Sequence, residues 1–430
     1  MAQTLFSNCR IFDGSKKRTY AGEVLLQGNR IKKVWNGKGA KIRASNAKVI
    51  DCGGATIMPG LTDAHAHLSL MGATTLTHPG DTPVEEMIYG TMHNAKTVLD
   101  YGYTSVYSGF SSKPRVDVVI RNEIEAGRIP GPRLLASSPI MAVTGDFTDA
   151  RQMHMYHDSV TIFVDGPIEM RRRCREMIRE GVDHIKLTIS GDEFGTPHAR
   201  AEMLTTFEDE VREACAVAHS RGKEVVAHAR AAEAIKIGLK HGVRVFYHCD
   251  FADEEALDML EAKKKEIFVV PTPSSTYITA TESEEWGFTP DVVEYMNLPR
   301  KMAISKKTIK EIHRRGIKTL PGGDWGFAWT PHGQNSRDYE LFRDFYGIPV
   351  ADTLRAGTMY GGQLMGMGDE LGQIKAGYLA DILMIDGDPI KDVSILQDID
   401  KILMVMKNGE MHRAPDARKL AQRRRSVAAE

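Results

Sequence analysis

Three hydrophobic patterns follow one another along the chain. Up to about Asp51, short β-like runs alternate with turn signals: Thr4-Leu5-Phe6, then 22–34 with Gly28-Asn29 as a turn in its middle. Near the other end, 372–385 reads as strand, turn, strand, and 401–410 as a hairpin around Asn408-Gly409. Neither block buries much apolar surface alone. Chain ends often lie close together, so the two predict one small β-sandwich. Between them, apolar runs at 104–107, 133–137, 184–189, 224–228, 243–248, 267–270 and 317–321 alternate with segments of helical period at 116–126, 169–180, 207–221, 231–240, 254–263 and 301–315. With the run that ends in His65 and His67, this makes eight strand-helix steps. The expected fold is α/β: a (β/α)8 TIM barrel over 58–365 and a composite β-sandwich domain from 1–57 plus 366–430.

Composition changes this picture little. The chain has 430 residues, an ordinary globular balance of apolar and charged groups, and a formal net charge of −1. That charge gives no reason to expect nucleic acid or an anionic membrane as partner; a small-molecule substrate and further copies of the chain, as a homo-oligomer, are expected. No signal-peptide pattern opens the sequence and no apolar run is long enough to span a bilayer. The five cysteines are scattered and lack C-x-x-C pairing, which predicts reduced thiols and a cytoplasmic location.

Candidate chemistry gathers at strand ends. In 57–67 an apolar run turns at Pro59-Gly60 and ends in His65 and His67, which period 2 places on one face of a strand, where both imidazoles reach one metal ion. Lys186 lies inside the fourth strand, His228 ends the fifth, His248 ends the sixth and Asp324 follows the eighth. In a parallel barrel all these ends face the same mouth. Each residue alone has an ordinary structural explanation, whereas their joint convergence predicts a metal centre.

These motifs resemble the amidohydrolase superfamily over nearly the whole chain: MPGLTDAHAHL (58–68), HIKLTISG (184–191), VVAHARA (225–231), VFYHCDF (245–251), GGDWG (322–326) and LGQIKAGYLADILMIDGDP (371–389). The branch resembled holds imidazolonepropionase-like enzymes, Xaa-Pro and Xaa-Arg dipeptidases, and amide, urea and carbamate hydrolases. The resemblance implies two divalent ions, zinc favoured over manganese, cobalt or iron. His65, His67 and Asp324 would hold one, His228 and His248 the other, and a CO2-derived carbamate on Lys186 would bridge them. It further implies that Asp324 accepts the proton of an attacking water and passes it to the leaving nitrogen.

The sequence departs from the dipeptidase-like pattern at His228-Ala229-Arg230-Ala231, at Tyr247-His248-Cys249 and at 144–149. Arg230 is a candidate clamp for a substrate carboxylate. Trp325, Trp329 and His332, just past Asp324, are candidates for an aromatic wall, with Tyr247 and Tyr277 as further substrate contacts. The segment around His154 and His157 is a weaker candidate for a lid. His78, His93, His198, His219, His241 and His313 read as structural or solvated. The expected activity is hydrolysis of an amide, arylurea or carbamate C–N bond. The alternatives are a dipeptidase or carboxypeptidase, a deaminase of a small heterocycle, and an inactive metal-binding barrel.

Overall fold

A computed structural model describes residues 2–194 and 198–427. The chain first lays down β1 (Gln3–Ile11), β2 (Tyr20–Gln27), β3 (Arg30–Trp35), β4 (Lys48–Asp51) and β5 (Thr56–Pro59). Then come β6 (Leu61–Ala66), β7 (Tyr103–Ser108), β8 (Arg133–Leu135), β9 (Ser137–Ala142), β10 (Thr161–Phe163), β11 (His184–Thr188), β12 (Glu224–Ala231), β13 (Val245–Phe251) and β14 (Phe268–Val270). The last strands are β15 (Ile382–Ile385), β16 (Ile402–Lys407) and β17 (Glu410–Arg413).

Strands from both chain ends share one sheet, ordered β17-β16-β15-β5-β1-β2-β3, with β4 also paired to β1. The Asn408-Gly409 turn forms as expected. Both residues have positive φ (52° and 79°), the twist a two-residue hairpin requires, and Lys407 pairs with Glu410. The expected strand pair over 372–385 is corrected: only Ile382–Ile385 is a strand, because Gly372 and Gly377, at φ 86° and 91°, turn the chain before it. Period 2 divides this sheet's two faces. Ile382 and Met384 join Phe6, Ile11, Val24 and Ile57 in a core of its own, also covered by Leu420. Leu383 and Ile385 point the other way and pack with Met58, Val405, Leu61, Val98 and Tyr103. The sheet is thereby fixed to the parallel part of the molecule.

That part consists of two parallel sheets, β6-β7-β8 and β10-β9-β11-β12-β13-β14. The expected strand over 133–137 splits at Ala136 into β8 and β9, one for each sheet. The stretch 317–321 runs beside β14 through a parallel bridge between Val269 and Thr319 and a 2.9 Å bond from Leu320 N to Val269 O. It reaches β6 through Ala64 N, which donates to Pro321 O at 3.2 Å. Helices of the expected period flank the strands, among them Val116–Glu125, Pro167–Glu180, Glu208–His219, Ala232–His241, Glu254–Ala262 and Leu298–Arg314. All five cysteines are buried free thiols, and among the described residues no helix is long and apolar enough to cross a membrane.

Candidate metal centre

The C-terminal ends of these parallel strands deliver His65, His67, Lys186, His228, His248 and Asp324 to the lining of a single cavity. His67 Nε2 lies 2.6 Å from Asp324 Oδ1, and His65 Nε2 lies 3.4 Å from the same oxygen. Among the described residues, His65, His67 and Asp324 form the group whose ligand atoms all fall within 4.8 Å of one another. His228 and His248 adjoin them, their ring centroids 4.5 Å apart, with His248 5.7 Å from His65.

Backbone geometry sets this arrangement. Asp324 and His248 take left-handed φ values of 63° and 76°, uncommon for residues other than glycine, so the chain bends sharply at both residues. Gly109, just after β7, packs where a Cβ would fall 2.3 Å from His67 Cε1 and 2.4 Å from His65 Cδ2. Gly322 lets the stretch 317–321 approach β6, since a Cβ there would lie 2.5 Å from His65 N. Each histidine is also held from outside. Asp63 Oδ1 accepts from His65 N at 3.0 Å, His248 Nδ1 meets Thr272 Oγ1 at 2.6 Å, and His228 Nε2 donates to Gly191 O at 3.0 Å. His332 Nε2 donates to the carbonyl of His67 at 3.2 Å.

The donor set fits a metal. His65 Nε2 is buried 3.4 Å from Asp324 Oδ1 without a hydrogen-bond partner, a nitrogen an ion would satisfy. Burial is the largest influence on the imidazoles. Against the pull of Asp324 it lowers His65 and His67, and it brings His228 down to about 3, a direction that favours the neutral form that ligates. Asp324 is held well below the usual carboxylate range: burial opposes ionisation, but His65, His67 and Lys186 outweigh it. Burial brings the Lys186 amine down to about 7, with Arg230 adding to the effect. Lys186 Nζ lies 4.1 Å from the centre of the Tyr247 ring, which itself stacks on His65 at 3.7 Å.

The substrate-contact candidates separate. Trp329 lines the cavity, stacked on Phe327 with centroids 4.9 Å apart, beside Phe194 and Phe288. Arg230 lines it too, but its Nε donates to Asp192 Oδ2 at 2.5 Å and its Nη1 to Asp250, so most of the expected clamp is already engaged. Trp325, Tyr247, Tyr277 and His332 are absent from the lining. Trp325 turns into the protein, with its indole nitrogen 3.4 Å from Asp338, and Tyr277 packs against Phe345. Sequence reasoning missed Asp192, Lys301, Phe110, Phe147 and Phe194, all of which line the cavity. Asp192 sits three residues beyond the fourth apolar run, a position that could have marked it.

Against known proteins, the chain is 22% identical to ochratoxinase from Aspergillus niger, over 84% of this chain and 76% of that protein. The crystal structure of an amidohydrolase superposes with a TM-score of 0.84 at 28% identity, covering 96% of this chain and 99% of the other. An Xaa-Pro dipeptidase with methionine in its active site superposes with a TM-score of 0.82 at 25% identity, covering 96% and 100%. A model of the amidohydrolase family matches residues 56–411, and with the histidine pair, the aspartate and the shared fold this makes the chain a member of that family.

Proposed function

We propose that this enzyme hydrolyses an amide-like C–N bond, in an amide, arylurea or carbamate, of a small molecule with an aromatic arm. The reading is carried by the convergence of four histidines, Lys186 and Asp324 on one cavity that has an aromatic wall. His65, His67 and Asp324 would hold one divalent ion, His228 and His248 a second, and Lys186, as its carbamate, would join the two sites. An amine near pKa 7 supports this, since CO2 adds to the neutral form. When bound, a pair of divalent ions acidifies water and polarises the scissile carbonyl. Asp324, kept ionised beside His67, accepts the proton of the attacking water and returns it to the departing nitrogen. Phe194, Phe327 and Trp329 orient the aromatic arm and exclude bulk water. The parallel strands with 317–321 are read as one (β/α)8 barrel over 58–365, and the mixed sheet as a composite domain of 1–57 plus 366–430.

A second reading, a dipeptidase, is favoured by the likeness to the Xaa-Pro dipeptidase. The test is elemental analysis of the purified protein followed by a hydrolysis screen of dipeptides, N-acyl amino acids, anilides, phenylureas and carbamates. The expected result is about two ions per chain and turnover in at least one amide-like class. Lys186→Ala is expected to lose one ion and nearly all turnover. Full activity in that variant would refute the bridging role.

A further inference from the structure

Beside the imidazoles stands a network of five charged side chains, four buried and Glu193 partly buried, that hold no metal in the proposed mechanism. Arg230 Nε donates to Asp192 Oδ2 at 2.5 Å, and its Nη1 donates to Asp250. Lys301, brought by the helix Leu298–Arg314, donates from Nζ to Asp192 Oδ1 at 2.9 Å and pairs with Glu193 Oε2 at 2.9 Å. The Arg230 and Asp192 side chains are only 3% and 8% exposed, so water screens them little. Arg230, Lys301 and Asp192 face the cavity, while Asp250 and Glu193 lie outside its lining. Two cations thus meet three carboxylates, and Asp192 engages both cations, one with each oxygen.

We propose that this network makes the enzyme select substrates whose arm beside Arg230 carries no free carboxylate, with Asp192 as the specificity-determining residue. The proposal rests on the reading that an amide-like substrate occupies this cavity. A substrate carboxylate could take Arg230 or Lys301 only by displacing Asp192, and a buried carboxylate stripped of its cations is strongly unfavourable. Approaching without displacement, it would find both cations already paired to carboxylates of the protein. A neutral arm meets neither obstacle. The selection also separates this chain from a dipeptidase, whose product is a free amino acid released from a carboxylate-bearing substrate.

The experiment compares N-benzoylglycinamide with N-benzoylglycine, which place a neutral amide or a carboxylate at that arm, and reads benzoate release in both so that cleavage of the terminal carboxamide is not counted. In the metal-loaded wild-type enzyme the amide is expected to be favoured at least about tenfold in kcat/KM. Asp192→Asn leaves Arg230 and Lys301 short of one negative charge and is expected to reverse the preference. Lys301→Met deepens the negative excess and is expected to widen it, which keeps the test intact if D192N fails to fold. If turnover of the pair is too slow to rank, calorimetric titration of both compounds reads the same ratio. Equal or better use of the acid by the wild type, or an unchanged ratio in a folded variant, overturns the proposal. Failure of both compounds to bind, together with no turnover in the wider screen, overturns instead the functional reading beneath it.

Discussion

Thr272 shows how much of this centre rests on single side chains that would never touch an ion. Its hydroxyl meets His248 Nδ1 at 2.6 Å, which leaves Nε2 to face the cavity and fixes the ring's orientation. If His248 holds the second ion proposed above, Thr272→Val is expected to weaken its binding by about 10–100-fold, while Thr272→Ser retains it. Equilibrium metal titration of the two variants checks this. At this scale the convergence of His65, His67 and Lys186 on one cavity was legible because H-x-H at a strand end and a lysine inside an apolar strand are local patterns. The ionic network was not. Lys301 lies 109 residues from Asp192, within a stretch whose other lysines read as a solvated helix face. Trp325 was misjudged for a related reason: an indole beside a ligand reads as a cavity wall, but Asp338 draws it inside.

The order of the strands and helices that were expected was legible because their periods are strong, whereas their number was not, since β10 is too short to show a period and 133–137 divides between two sheets. Their close approaches depend on distant partners. Gly109 is one such case. Gly109→Ala would drive a methyl group against both His65 and His67. Its expected result is loss of bound metal with an unchanged far-UV circular dichroism spectrum. The start of the helix Val116–Glu125 gives a pH prediction. Burial raises Asp117 from 3.8 to about 6, against hydrogen bonds from Ser108, the Ser137 backbone and Ser111. Between those values the folded chain holds this proton more firmly than the unfolded chain. The contribution to stability is therefore full below pH 3.8 and lost as pH rises through about 6. Asp117→Asn is expected to flatten that slope, read as urea midpoints across the interval.

Across the whole molecule, the mixed sheet and the parallel strands are joined by an apolar face and by Asp381. Its Oδ2 accepts from Arg133 Nη1 at 3.2 Å on β8, and its Oδ1 accepts from Asn408 N at 2.7 Å in the terminal hairpin. Asp381→Ala strands both donors and is expected to cost about 2 kcal/mol of unfolding free energy. Metal content should stay the same, and denaturant titration with elemental analysis separates the two effects. The union of the chain ends was legible from two short β blocks that could not fold alone. Which face of the joined sheet meets the parallel strands depends on the register of Leu383 and Ile385, which β15 acquires by pairing with β5 and β16.

The stretch 317–321 meets its neighbours through few backbone bonds, and Asp324 lies just past it, reaching across to the histidines of β6. A cation gripped by all three would rivet the earliest parallel strand to the latest, across a separation of 257 residues. Chelation should then loosen this seam before any other part of the molecule, with amide exchange rising first at Ala64 and Leu320. Catalytic competence and mechanical closure would share one fastening, so a cell short of metal would hold a protein both idle and easier to unravel.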